Sequence, residues 1–236
     1  MSFFISTRQR TDQEEMMDDF SIGGDLLRDT LDKLENINRW LRGNKVTIKG
    51  LEKILQNHPK EQEITIIDIG CGHGDILRDV AKFGRKQHYK FNLIGVDANP
   101  TAIAYANELS LKYPELSFKT QDIFSNEFKR SQFDVVLATL FLHHFKEDQL
   151  VSFLETTSKQ AKIGVVVNDL HRHKMAYYLF KLLSVFIANK MIVNDGLISV
   201  LRGFKRKELV TISKKINIQP QISWKWAFRF LWIINK

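Results

Sequence analysis

One segment constrains this chain more than any other: Ile64-Thr65-Ile66-Ile67-Asp68-Ile69-Gly70-Cys71-Gly72-His73-Gly74-Asp75. Its short β-branched apolar run reads as a strand buried on both faces. The run stops at three glycines spaced two apart, and helical sequence follows over residues 75–83. Glycine tolerates positive φ and lets a ligand approach the backbone closely. The start of a helix offers unpaired N–H groups. In an open α/β sheet, the carboxyl end of such a strand is where ligands bind.

The alternation continues downstream. Residues 92–97, 116–121, 133–138 and 164–168 read as further strands, with helices over 101–111 and 147–160 between them. This order implies a Rossmann-like, doubly wound α/β fold with a mostly parallel sheet. A helix over 205–215 and a hairpin from 216–223 and 228–234 would complete seven strands. Upstream, residues 25–41 repeat apolar positions with a helical period, and Gly43 reads as the stop. A second helix over 47–57 would end before Pro59. The expected layout is an N-terminal helical cap over 1–60 and an α/β domain over 61–236. A helical insertion at about 170–203, with a strongly apolar helix over 173–189, interrupts that domain.

With 236 residues and a 44% apolar share, the chain can bury a full core. Its net charge of +8 would suit nucleic acid, a membrane surface or an acidic ligand. The lysines are dispersed, however. The densest cluster, Lys205-Arg206-Lys207 with Lys214-Lys215, reads as a solvated helix face. Cys71 is the single cysteine, so neither an intrachain disulfide nor a thiolate metal cluster can form. The first 19 residues lack the apolar core of a secretory signal. The longest apolar stretch, 175–193, is interrupted by Lys181 and Lys190, and no transmembrane segment is expected. A cytoplasmic enzyme is the expectation.

The glycine loop is G-x-G-x-G, and Asp75 stands where the dinucleotide fingerprint would place its last glycine. Asp68 and Asp75 beside it suit a cationic zwitterion better than a pyrophosphate. Asp97 ends the second strand, in Gly95-Val96-Asp97-Ala98-Asn99-Pro100, where an acid can accept from both hydroxyls of a ribose. Asp122, in Gln121-Asp122-Ile123-Phe124, can accept from an adenine amino group. Asp68 and Asp122 would equally serve as turn or helix caps. The fourth piece is Phe133-Asp134-Val135-Val136-Leu137-Ala138, running on through Thr139-Leu140-Phe141-Leu142-His143-His144-Phe145.

In this order the four pieces resemble the class I S-adenosylmethionine-dependent methyltransferases, over about residues 60–170. The resemblance implies that Gly70, Gly72 and Gly74 pass the methionine part of the cofactor, with Asp68 and Cys71 in the same turn. Asp97, with Ala98, would hold the ribose, and Asp122 and Ile123 would flank the adenine. Ala138 and Thr139 would meet the cofactor from the fourth strand.

The acceptor is read from what surrounds these motifs. The N/D-P-P-Y/F motif of exocyclic-base methyltransferases is replaced by Ala138-Thr139-Leu140-Phe141, and the only cysteine lies in the glycine loop. Both facts argue against nucleic-acid chemistry. Small-molecule members of the class roof the site with N-terminal helices and an insertion after the fifth strand. Residues 11–57 and 170–203 are the counterparts here. The insertion carries Met175, Tyr177, Tyr178, Leu179, Phe180, Leu182, Leu183, Val185 and Phe186. That is too apolar all round for a lone surface helix, so it is expected under other elements or lining an apolar pocket.

Further pieces are similar to bacterial phenol and polyketide O-methyltransferases. They are Met16-Met17-Asp18-Asp19, Ile37-Asn38-Arg39-Trp40-Leu41, Asn168-Asp169-Leu170-His171-Arg172-His173 and Asp195-Gly196-Leu197-Ile198-Ser199-Val200, with Arg202, Phe204 and Glu208 following. The expected reaction is methyl transfer to a small apolar or aromatic acceptor, at a hydroxyl oxygen. Two alternatives stay open. An RNA or protein methyltransferase would show a basic strip along 205–215 leading to an open cleft. A non-catalytic module would only bind the cofactor.

A phenolic acceptor gains from a base, and histidine suits that role near neutral pH. His143 and His144 follow the fourth strand, and His171 and His173 the fifth, all on the ligand-binding edge. The candidates rank His144, then His171, then His143. No metal is expected, since no thiol is near and Glu147, Asp148 and Asp169 are the only nearby acids.

Overall fold

The computed structural model describes residues 5–219 and 221–236. Residues 1–4, part of the N-terminal stretch read above, and Pro220, within the expected hairpin, lie outside them. The strands are β1 (Glu63–Ile69), β2 (Lys90–Asp97), β3 (Leu116–Thr120), β4 (Phe133–Thr139), β5 (Ala161–Leu170), β6 (Gln221–Lys225) and β7 (Arg229–Asn235). They form one seven-stranded sheet in the order β3-β2-β1-β4-β5-β7-β6. The first five are parallel, while β7 lies antiparallel between β5 and β6. The order reverses between β1 and β4, which opens a crevice above their carboxyl ends.

The helices are α1 (Gly24–Trp40), α2 (Gly43–Ile54), α3 (Asp75–Gln87), α4 (Pro100–Leu109), α5 (Asn126–Arg130), α6 (Glu147–Gln160), α7 (Lys174–Leu183), α8 (Lys190–Arg202) and α9 (Arg206–Lys215). Alternation along each strand feeds two cores. Ile64 and Ile66 of β1 join Val46, Leu51 and Leu55 of α2 and Leu77 and Val80 of α3. Ile67 and Ile69 face Leu150 and Leu154 of α6 and Leu209 and Ile212 of α9. Each such side chain contributes about 1.5–3 kcal/mol by leaving water.

Three local expectations are corrected. Gly43 does not stop a helix. Arg42, at φ 60, makes the break, and Gly43 opens α2. A Cβ on Gly43 would come within 2.9 Å of Arg229 Cζ, so glycine serves a close approach there. The helix expected over 173–189 is shorter than that. α7 ends at Leu183 and passes through a 3-10 turn, and Asn189 then caps α8 by accepting the Ile192 N–H at 3.1 Å. α7 is also not buried. Only Ala176 is inside, while Leu182 is 65% and Phe186 83% exposed. α7 stays apolar outward because its other side already rests on α8, where the Phe180 ring covers Gly196. The short helix α5 carries no apolar period and was not foreseen. Its Ser125 cap holds it, accepting from the Phe128 N–H at 3.2 Å.

α2 lies flat on the sheet because Gly50 has no side chain. A Cβ there would fall 2.4 Å from Val166 Cγ1 and 2.8 Å from Leu231 Cδ1. Gly50→Ala should therefore cost about 1–3 kcal/mol of stability, read as a lower urea midpoint at unchanged slope.

Candidate functional site

The glycine loop is built for close approach. Gly70 and Gly72 adopt φ 69 and φ 53. The Gly70 and Cys71 N–H groups donate to the Val96 carbonyl at 2.9 and 3.1 Å, which ties the loop to β2. The Gly72 N–H donates to Asp97 Oδ2, and the Asn99 N–H to Asp97 Oδ1, both at 2.9 Å. Asp97 is thereby fixed at the crevice with lone pairs to spare. Asp68 is buried, and its Oδ1 has no hydrogen-bond partner among the described residues. Burial pushes the Asp68 carboxyl well above the usual range, and Asp75 and Asp97 add to that. Burial also raises Asp75 and Asp97.

A cavity of about 440 Å³ sits over these strand ends. Asp68, Gly70, Cys71, Gly72, Asp97, Ala98, Asp122, Ile123 and Thr139 line it. Gly74 and Ala138 do not. Gly74 precedes α3 at φ 80 against the Phe118 ring, and Ala138 is enclosed in the sheet. Asp122 lies exposed at the rim and caps its own turn, accepting the Phe124 N–H at 2.8 Å. Leu27, Leu31 and Leu34 of α1 form a roof. Glu35 pins α1 to the floor, 3.1 Å from His73 Nε2 and 3.0 Å from Arg78 Nη2. His73 lowers the Glu35 carboxyl to about 2, against burial and with help from Arg78.

The far end of the cavity holds a dense polar network. His143 and His144 end a 3-10 turn after β4. His143 is buried, with Nδ1 2.7 Å from Asp169 Oδ1 and Nε2 3.5 Å from Glu15 Oε1. Burial alone would lower its pKa, but Asp169 and Glu15 prevail and raise it to about 9. His144 places Nδ1 2.6 Å from Asp18 Oδ1. Burial disfavours ionised Asp18, yet His144 and Arg202 hold its carboxyl far below the usual range. Arg202 Nη1 lies 2.5 Å from Asp18 Oδ2 and 3.6 Å from Glu15 Oε1. Glu15, His143 and His144 each bring one ligand-type atom within 4.8 Å of the others. The guanidinium of Arg202 supplies the positive charge at that point.

His171 does not reach the cavity. It lines a separate crevice with His173, Lys205, Arg206 and Lys207, and its Nδ1 accepts the Trp224 indole N–H at 3.2 Å. Burial, then the charges of His173 and Lys205, pull its pKa to about 4. His173 caps α7, accepting the Met175 N–H at 3.2 Å. The basic cluster of 205–207 opens onto this crevice rather than onto the cavity, and Lys215 pairs with Glu147 at 2.5 Å.

Several residues of the cavity were not foreseen as a site. Glu15, Asp18 and Asp195 reach it from the N-terminal strap and α8, and Arg229 from β7. Arg229 is buried, donates to Asn38 Oδ1 at 2.7 Å, and has its pKa pulled to about 10 by burial. Except for Glu15 and Arg229, these residues and Asn38 lie in the segments that resembled phenol and polyketide O-methyltransferases. The signal was present there without the roles.

The methyltransferase-domain family matches residues 60–178, half of the chain. The chain belongs to the class I S-adenosylmethionine-dependent methyltransferases. This methyltransferase is 28% identical to the ubiquinone biosynthesis O-methyltransferase of Rickettsia bellii over 135 residues, 55% of this chain and 51% of the relative. The chain thus spans about half the length of the curated relatives it matches. Among solved structures it is similar to the plantazolicin methyltransferase in complex with S-adenosylhomocysteine, with a TM-score of 0.63, 18% identity and 89% of each chain covered. It is also similar to the magnesium protoporphyrin IX methyltransferase of Synechocystis PCC 6803, with a TM-score of 0.56, 14% identity and 84% of each chain covered. At such identities these likenesses speak to the fold. The family cofactor, S-adenosylmethionine, fits the residues present. Asp68, Asp75 and Asp97 bring three carboxyls with few cationic partners to the loop, one carboxyl oxygen is unpartnered among the described residues, and the ligand carries a sulfonium and an ammonium group that would favour their ionised forms.

The His143 shift carries a stability signature. Its folded pKa of about 9 exceeds the ordinary 6.5, so it stabilises fully below pH 6.5 and loses that contribution as pH rises through 9. The full scale is about 3 kcal/mol at 1.36 kcal/mol per unit. Urea midpoints should fall between pH 7 and 9.5 in the native protein, and His143→Gln should flatten that slope.

Proposed function

We propose that this methyltransferase methylates a hydroxyl oxygen of a small apolar, aromatic acceptor, with His144 taking the acceptor's proton. The observation that carries the reading is the His144 Nδ1–Asp18 Oδ1 contact of 2.6 Å at the cavity wall. An imidazole that donates Nδ1–H to a carboxylate presents a lone pair on Nε2, the arrangement of an oriented general base. His144 Nε2 has no protein partner among the described residues. His143 is held protonated between Asp169 and Glu15 and serves instead to fix the turn and to place positive charge near a developing phenolate.

The bound cofactor supplies an electrophilic methyl group on sulfur. The protein's task is to align an acceptor oxygen with it and keep water out. Phe141, Leu31, Ile192 and Val200 give the cavity apolar walls for an aromatic ring. Asp97 anchors the ribose, Asp122 and Ile123 border the adenine, and Gly70 and Gly72 let the methionine part lie on the backbone. The O-methyltransferase name of the Rickettsia relative adds support for oxygen as the methylated atom.

Two substitutions test this, alongside product analysis with simple phenols by mass spectrometry. Asp97→Ala loses two charge-assisted hydrogen bonds and should weaken S-adenosylhomocysteine binding by about 2 kcal/mol or more in calorimetry. Unchanged affinity would remove Asp97 from the ribose site. His144→Ala should lower kcat by roughly 10²–10⁴ at neutral pH while cofactor affinity stays unchanged. Turnover should partly recover at high pH, where the phenol ionises unaided. Full turnover at neutral pH would show that His144 is not the base.

A further inference from the structure

Between residues 171 and 194 the chain contains no Asp or Glu, while Arg172, Lys174, Lys181 and Lys190 carry positive charge. This is the segment that folds as α7 and the start of α8. On α7 and the turn after it, Met175, Leu179, Leu182 and Phe186 follow one another at three or four residues, so they share a face. They are 58%, 50%, 65% and 83% exposed. Tyr178 and Val185 widen the stripe. Lys174 and Lys181, seven apart and both exposed, run along one edge of it. Folded monomers rarely leave so continuous an apolar strip in water.

The surface continues past the amino end of α7. There Lys174 shares a crevice with Lys205, Arg206 and Lys207, and no carboxylate among the described residues lines it. Arg172 behind it is neutralised by Glu208. Trp224 and Trp226, 48% and 61% exposed, stand on the adjoining hairpin, and Trp224 reaches the crevice through its bond to His171. An apolar strip edged by lysine, a basic crevice without acids and two exposed tryptophans form the combination that an interfacial helix uses on a charged membrane. A protein partner would need acidic side chains for the crevice together with an apolar groove for the strip. A bilayer carrying anionic lipid supplies phosphates and hydrocarbon at that same spacing.

We infer that this face docks on an anionic lipid bilayer. α7 lies in the interface plane with its stripe among the acyl chains, and the crevice lysines and arginine meet headgroup phosphates. The helix rests on the membrane rather than crossing it, since no helix among the described residues is long and apolar enough to span. Phe180, on the opposite side of α7, lines the cavity, so docking sets the cavity about one helix diameter, roughly 10 Å, from the lipid. The docking stands on this surface alone and holds whichever acceptor the cavity takes.

The test is flotation of the full chain with vesicles of phosphatidylcholine alone or mixed in equal parts with phosphatidylglycerol. The mixed vesicles should bind at least about tenfold more tightly, and added salt should weaken the binding. Leu179→Ser with Leu182→Ser, and separately Lys174→Glu with Lys207→Glu, should each reduce it about tenfold or more. Both variants alter exposed side chains, so melting temperature and S-adenosylhomocysteine affinity should not move. No flotation with the anionic vesicles overturns the proposal, as does flotation that neither variant affects. A dimer dissolved by the Leu179 and Leu182 changes, without vesicle binding, would make the stripe a contact between copies. Binding of single-stranded RNA lost in the Lys174 and Lys207 variant, without vesicle binding, would make the crevice a nucleic-acid site. Either result replaces the membrane assignment.

Discussion

Charge compensation at one buried point holds this structure in its working arrangement. Glu15 and Asp18 of the N-terminal strap meet Asp169 from the end of β5, and His143, His144 and Arg202 answer them. A buried carboxylate without a partner costs several kcal/mol, so none of these elements can take its place alone. The N-terminal strap can lie over the cavity only with α8 beneath it. Asp195 completes that union by accepting the Met16 and Met17 N–H groups at 2.8 and 3.0 Å. Arg10 adds a second tie, donating to the His143 carbonyl at 2.6 Å and to the Arg202 carbonyl at 2.7 Å. Strap, β4 turn, β5 end and α8 therefore behave as one unit.

A second tie sits at the other end of the roof. Glu35 reaches down from α1 to His73 and Arg78, next to the glycine loop. The roof is thus held at both ends by charged contacts while its middle is apolar leucine. The insertion follows the same economy. α8 has its inward side taken up by the strap, and α7 is supported on α8, which frees the outer surface of α7 from any structural duty.

The sheet and the glycine loop were legible because their signals are local. A β-branched run ending in three glycines says where a strand stops, and the following acids fall at strand ends whatever happens elsewhere. The N-terminal contribution to the site was not legible in the same way. Nothing near Asp18 in the chain reveals that His144 and Arg202 will lie against it, at separations of 126 and 184 residues. His143 and His144 show the difference most sharply. They are neighbours with identical side chains, yet one points between two buried acids and the other to the cavity wall. That outcome depends on which way a 3-10 turn faces. Gly43 and α7 misled for a related reason. A glycine after a helical period looks like a stop until the guanidinium that needs the space is known. An apolar helix looks buried until the support on its other side is seen.

The two ends of the cavity also differ in how their charge is handled. Around the glycine loop, Asp68, Asp75 and Asp97 are buried with few cationic neighbours, and their carboxyls are all pushed upward. Around the β4 turn, Asp169 and Glu15 are buried and Asp18 is half-buried, and all are pushed downward by the cations beside them. The first end is incomplete by itself and gains most from a ligand that brings positive charge. At the second, each acid already faces a cation, so a ligand arriving there meets charge that is largely compensated. A ligand entering there meets the apolar side chains of Phe141 and Val200 and the imidazole of His144. Under the proposed reaction, the same contrast would separate a cationic cofactor from a neutral aromatic acceptor without a wall between them, because compensating cations are scarce at one end and present at the other.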